Sequence, residues 1–206
     1  MEGVQQYSTY SDRVQHQHLM RSPHYFITRP VSGSRYSNTK NIGGIELIVN
    51  SSEEDHRFSN RYAEVLELPL GYEGPISVGD TLLVHHNTFK FYNDIKGNRK
   101  SGKSFFKEDI FLIEPDQFFM YKHEGEWHAY DRYCFVKPIP PLKYYIDKPV
   151  SEEPLMGVMR YPNKKLMDMG VMPGDVVCFA PDSEYEFNVD GEKLFRMFDH
   201  HITVKI

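Results

Sequence analysis

Gly97-Asn98-Arg99-Lys100-Ser101-Gly102-Lys103-Ser104 fits, letter for letter, the phosphate-loop pattern of a glycine, four residues and Gly-Lys-Ser. In that pattern backbone N–H groups wrap phosphates, the lysine neutralises charge and the hydroxyl holds magnesium. It needs an apolar strand before it and a helix after it. Neither neighbour fits. Asn93-Asp94-Ile95-Lys96 is polar, and Phe105 to Ile113, followed by Pro115, reads as strand and turn. The segment reads as a basic, Gly-containing hairpin tip, and a P-loop nucleotide-binding protein is the remote alternative.

The 10 histidines include the pairs His85-His86 and His200-His201 and the group His16-Gln17-His18. A metal site needs convergent ligands. Neighbours on a strand point to opposite faces, so neither pair chelates as a unit. His16 and His18 sit in a polar tail. No motif brings a nucleophile, a base and an orienting acid together. The reading is therefore of a non-enzymatic chain with no catalytic residue, metal or cofactor.

The elements that position these residues are short. Of the 206 residues 40% are hydrophobic, 14% are aromatic, and Gly and Pro together number 27. Many turns and a lack of long amphipathic helices indicate an all-β class. The net charge of -5, with no basic block, argues against nucleic acid as the partner. No run approaches the length of a membrane helix. Residues 1–21 form a polar tail with no signal-like apolar stretch, and the two cysteines, Cys134 and Cys178, read as reduced, buried thiols; a cytoplasmic protein is expected.

An internal repeat organises the rest. Val78-Gly79-Asp80-Thr81-Leu82-Leu83-Val84 parallels Met172-Pro173-Gly174-Asp175-Val176-Val177-Cys178-Phe179, with the glycines 95 positions apart. Ala63 to Leu66 parallels Met156 to Met159, with the valines 93 apart, and Phe106 to Ile113 parallels Phe198 to Lys205. Phe26 to Val31 parallels Phe135 to Ile139 at a larger offset, so the first copy carries about 15 extra residues between its first two strands, as loops tolerate. Asp190-Gly191 between alternating Tyr185-Phe187-Val189 and Leu194 to Met197 predicts a hairpin. A second hairpin is expected from Phe118 to Tyr133 around His123 to Glu126, and one helical turn from Asn163 to Met169. Trp127 and Phe118-Phe119 read as packing between the copies. Each copy is expected to close as a small barrel, because closure removes sheet edges.

Several segments together resemble the GroES co-chaperonin family: Tyr25 to Val31, Gly43-Gly44-Ile45-Glu46-Leu47, Ala63 to Leu66, Val78 to Val84, and Asp109 to Ile113. The match is fuller over 22–122 than over 130–206. The resemblance implies two tandem GroES-like β-barrels, 22–122 and 123–206, with a mobile loop at about 32–60 in the first alone. It implies that Gly43, Gly44, Ile45, Glu46, Leu47 and Ile48 bind a GroEL-like chaperonin, and that the chains assemble as a heptameric ring. Phage-encoded members share the barrel while diverging in sequence; for such a member the location is the host cytoplasm. The polar flanks suit a loop ordered on binding. Glu46 departs from an all-apolar triplet, and strand alternation would leave it in solvent. Read from the residues alone, Ile45 to Val49 is either this grip or a buried strand. A viral or cellular assembly protein reusing the barrel is the other alternative.

Overall fold

The computed structural model describes residues 20–36, 59–141 and 152–206, and the backbone of 39–42 and 45–48. Over these residues the chain is all-β, with short 3-10 turns and a single five-residue helix. It divides into two compact units, Met1–Gly79 with His86–Pro115, and Asp80–His85 with Asp116–Ile206.

In the first unit, β1 (Phe26–Pro30) lies between β4 (Tyr62–Glu67) and β9 (Ile110–Ile113), and β8 (Phe105–Lys107) adds outside β9, all antiparallel. β1 is buried at every residue but Arg29, as befits a strand covered on both sides. Its Thr28 hydroxyl is satisfied by donating to the Phe111 carbonyl at 3.3 Å. Phe26, Ala63, Val65, Phe89, Phe111 and Ile113 are fully buried. The unit also holds two hairpins. β2 (Thr39–Ile42) pairs with β3 (Ile45–Ile48), with Ile42 opposite Ile45. β6 (Phe91–Asn93) pairs with β7 (Arg99–Ser101). The turn between them is built on Asp94, whose carboxylate accepts from the Lys96 and Asn98 amides. The segment 97–104 thus runs from a turn through β7 to a second turn, and strand β8 follows it. It has the hairpin context its neighbours indicate, not a strand–loop–helix.

The second unit holds a six-stranded antiparallel sheet ordered β15-β16-β12-β13-β14-β17. These strands are β12 (Tyr133–Pro138), β13 (Met156–Tyr161), β14 (Val176–Phe179), β15 (Tyr185–Val189), β16 (Glu192–Phe198) and β17 (Ile202–Lys205). The order is open, with β15 and β17 at its ends. Helix α1 (Lys164–Asp168) follows β13, and the Asn163 side chain caps it by accepting from the Leu166 amide at 2.9 Å. Leu166 joins Val136, Met159, Val177, Phe179 and Met197 in the core. The same unit contains β5 (Thr81–Val84), β10 (Phe118–His123) and β11 (Glu126–Ala129), with β10 paired to both others. Both hairpins expected here form. Glu124-Gly125 and Asp190-Gly191 all take positive φ, between 49° and 88°, which is the two-residue turn whose twist matches its strands.

Pairing exposes the duplication. β1 and β4 set Pro30 opposite Ala63 and Thr28 opposite Val65, with a bulge before Thr28. β12 and β13 set Pro138 opposite Gly157 and Val136 opposite Met159, with a bulge before Val136. The Gly79 amide donates to the Val65 carbonyl, and the Gly174 amide donates to that of Met159, each at 2.8 Å. The glycines have φ of 92° and 94°, a conformation other residues rarely take. β5 pairs with β10 as β14 pairs with β17, each with one register shift. β1–β9 and β8–β9 correspond to β12–β16 and β15–β16. Two corrections follow. Ala63 corresponds to Gly157, one residue later than similarity suggests. β9 corresponds to β16 and not to β17, whose counterpart is β10. The hairpin β6–β7 occupies the first copy's β5-to-β9 connection and shifts everything after it.

Candidate functional site

The base of the long connection between β1 and β4 is stapled. Tyr36 bridges to Ser59, and the Asn60 amide donates to the Arg35 carbonyl at 2.9 Å. Asn60 is nearly buried and its side chain is fully used. Nδ2 donates to the carbonyls of Val31 and Ser34 at 2.9 and 2.8 Å, and Oδ1 accepts from the Tyr62 amide at 2.9 Å. Ser59 Oγ donates to the His86 carbonyl at 2.7 Å. Of the expected binding residues, Ile45, Glu46, Leu47 and Ile48 are the backbone of β3, while Gly43 and Gly44 lie outside the described residues, as does Val49. The equivalent connection in the second copy is shorter. Ala63 follows Pro30 by 33 residues, whereas Gly157 follows Pro138 by 19. It is drawn together at its base by the Glu153 amide donating to the Ile139 carbonyl at 3.0 Å.

Arg35 locks this base to the hairpin β6–β7. Its guanidinium carbon stands 4.2 Å from the Phe91 ring centre and 4.7 Å from that of Phe105, and Nη1 donates to Ser101 Oγ at 2.9 Å. Arg99 covers Phe91 as well, at 3.7 Å. The Tyr36 hydroxyl accepts from the Phe91 amide at 2.8 Å. Burial lowers the Arg35 pKa, yet guanidinium starts so high that it stays charged. Sequence reading missed Arg35 and Asn60. Arg35 follows Ser-Gly-Ser and Asn60 follows Ser59, which resembles ordinary loop composition. Only the tertiary contact distinguishes them.

In the second unit the sole tryptophan, Trp127, is buried, and its indole N–H donates to Asp190 at 2.9 Å. Lys122 reaches the same carboxylate at 2.7 Å. Lys122 first and Trp127 second hold Asp190 below the usual carboxylate range, against its partial burial. Phe119 packs edge-on against Phe187 and Tyr133. Trp127 and Phe119 thus join β10 and β11 to the hairpin β15–β16. Beside Trp127 opens a cavity of about 720 Å³, walled by Tyr121, His128, Arg160, Tyr161 and Met167 among others. Arg160 in that wall pairs with Glu192 at 3.1 Å, and Lys137 pairs with the same carboxylate at 2.8 Å.

At the two Gly-Asp positions the carboxylates have different contacts. Asp175 accepts from the Met172 amide and from Lys205, while Asp80 meets His123 Nδ1 at 3.0 Å. His200 and His201 fall in a 3-10 turn, not in the strand expected for them, with ring centres 4.4 Å apart. Among the described residues no group of three or more His, Cys, Asp or Glu could hold a metal ion, and no helix is long and apolar enough to cross a membrane. Cys134 is a buried free thiol whose pKa burial pushes up to about 12. Cys178 is only half-buried. No family model, curated protein or solved structure matches the chain.

Proposed function

We propose that the chain is a co-chaperonin, built as two GroES-like barrels in tandem, that caps a GroEL-like ring through the loop of its first copy. The observation that carries this reading is the asymmetry of an otherwise matched pair. The same strand ladder occurs twice, and one connection in the first copy is longer by 14 residues and springs from a base stapled by Asn60. A loop meant to reach a partner needs firm ends and spare length between them. Its sequence supplies Ile45, Leu47 and Ile48 between polar flanks, which suits an amphipathic grip. In this reading Gly43 and Gly44 shape the grip, Glu46 stays in solvent, and the second copy is a spacer or roof. The chain works without catalysis or cofactor, in the cytoplasm, or in a host's cytoplasm if phage-encoded.

Weak single contacts become firm when several loops engage at once, so a ring, by family precedent a heptamer, follows from the mode of binding. The test is capture of the full chain on an immobilised chaperonin ring with ADP, together with the mass of the free protein by light scattering. Ile45→Ala with Leu47→Ala is expected to abolish capture while Trp127 emission stays native. Unchanged capture refutes the loop assignment, and a monomeric mass refutes the ring.

A further inference from the structure

The second unit carries a cationic cluster that the co-chaperonin reading leaves unused. Register sets Arg196 on β16 opposite Tyr185 on β15, and Tyr133 on β12 opposite Phe198 on β16. The Arg196 guanidinium carbon lies 4.6 Å from the ring centre of Phe119, 5.0 Å from that of Tyr185 and 5.3 Å from that of Tyr133. Arg132, on the exposed side, stands 4.5 Å from the Phe198 ring and 5.9 Å from Tyr133. Two guanidiniums therefore share the Tyr133–Phe198 stack.

The rings attract these cations through their faces but leave the in-plane N–H groups unused. Arg196 Nε is buried without a hydrogen-bond partner, and so is Nδ1 of His201, whose ring is 5.4 Å from that of Phe198. Buried polar atoms in folded proteins almost always have partners, and an orphan points to water or an ion. Here two orphans flank one ring. The nearby carboxylate, Asp199, is already engaged by Asn163 Nδ2 at 3.1 Å and Lys165 at 3.3 Å, with His200 Nδ1 at 3.7 Å, and no ion pair to Arg132 or Arg196 occurs among the described residues. Burial is the first cause that lowers the pKa of both Arg196 and His201.

We propose that Arg132, Arg196 and His201 form a binding site for a dianionic phosphate group. A guanidinium's N–H groups form a fork that matches phosphate oxygens, and two guanidiniums stand against this one aromatic stack. Their two permanent charges suit a dianion, whereas one carboxylate leaves a charge unmatched. The site is independent of the phosphate-loop-like segment at 97–104, which lies in the other unit.

The test is calorimetric titration of the full chain with inorganic phosphate near neutral pH, against chloride and acetate at matched ionic strength. Saturable binding of phosphate is expected, about tenfold or more tighter than acetate, since charge and fork geometry both favour it. Arg132→Gln, at an exposed position, is expected to weaken phosphate binding by about tenfold with Trp127 emission unchanged, and Arg196→Lys, which keeps charge but loses the fork, by a similar factor. Should Arg196→Lys fail to fold, Arg132→Gln decides alone. No saturable heat, acetate binding as tight as phosphate, or full-strength binding by Arg132→Gln overturns the proposal.

Discussion

The two copies solve the same problem at the mouth of the same connection in different ways. In the first, the Val31 carbonyl at the end of β1 is satisfied by a side chain, Asn60 Nδ2. In the second, the corresponding Ile139 carbonyl is satisfied by a backbone amide, that of Glu153. A backbone closure ties the ends directly. The first copy adds a side-chain staple to a backbone closure of its own, in which the Asn60 amide donates to the Arg35 carbonyl, and so holds firm ends around a longer chain. The duplicated ladder is the constant part, and the staple is what lets one copy carry a longer excursion.

The largest expected effect comes from erasing that difference. Replacing residues 37–58 with a short Gly-Ser link, across the Tyr36–Ser59 bridge, should eliminate chaperonin capture altogether, with near-native thermal melting. Retained capture would place the grip elsewhere.

Next comes the staple. Asn60→Ala removes three hydrogen bonds at a nearly buried position, worth about 3 kcal/mol at about 1 kcal/mol each. Urea denaturation followed by circular dichroism measures it. A loss under about 1 kcal/mol would mean that water replaces the side chain.

The matched pair Ala63 and Gly157 gives a finer contrast. A Cβ on Gly157 would press on Val136 Cγ1 and stand 2.6 Å from the Lys137 carbonyl oxygen, whereas Ala63 carries its Cβ, fully buried, at the equivalent place. Gly157→Ala is expected to cost about 1–3 kcal/mol by overpacking. Ala63→Gly should cost only about 0.5–1 kcal/mol, through chain entropy. Equal losses from the two exchanges would contradict the correspondence.

The smallest effect concerns acid. Because Lys122 and Trp127 depress the Asp190 pKa, the contact stabilises the fold above the ordinary carboxylate range and is lost as pH falls through the depressed value. The group is half-exposed, so solvent screening keeps its contribution below about 1 kcal/mol. Asp190→Asn should flatten the acid-side drift of Trp127 emission. A drift that persists in the variant assigns it to other carboxylates.

Much of this was legible from the residues. Alternation and the Asp190-Gly191 dipeptide located a hairpin that the structure reproduces, and the helical turn expected from Asn163 to Met169 forms as Lys164–Asp168. The repeated Gly-Asp also held, since positive φ at Gly79 and Gly174 admits few substitutes. The third sequence match failed for a physical reason. Strands alternate with period two, so Phe-and-Ile patterns resemble one another wherever they fall, and an inserted hairpin moves the true partner without altering local pattern.

The sequence by itself settled the strand-rich class, the tight turns and the existence of a repeat, because these depend on backbone preferences and contacts within a few residues. Only the tertiary structure decided which strands correspond, that Asn60 and Arg35 staple the base of the long connection, and that Arg132, Arg196 and His201 gather around one aromatic stack. Those outcomes depend on partners dozens of residues apart, where what matters is which groups burial leaves satisfied, and no local pattern records that.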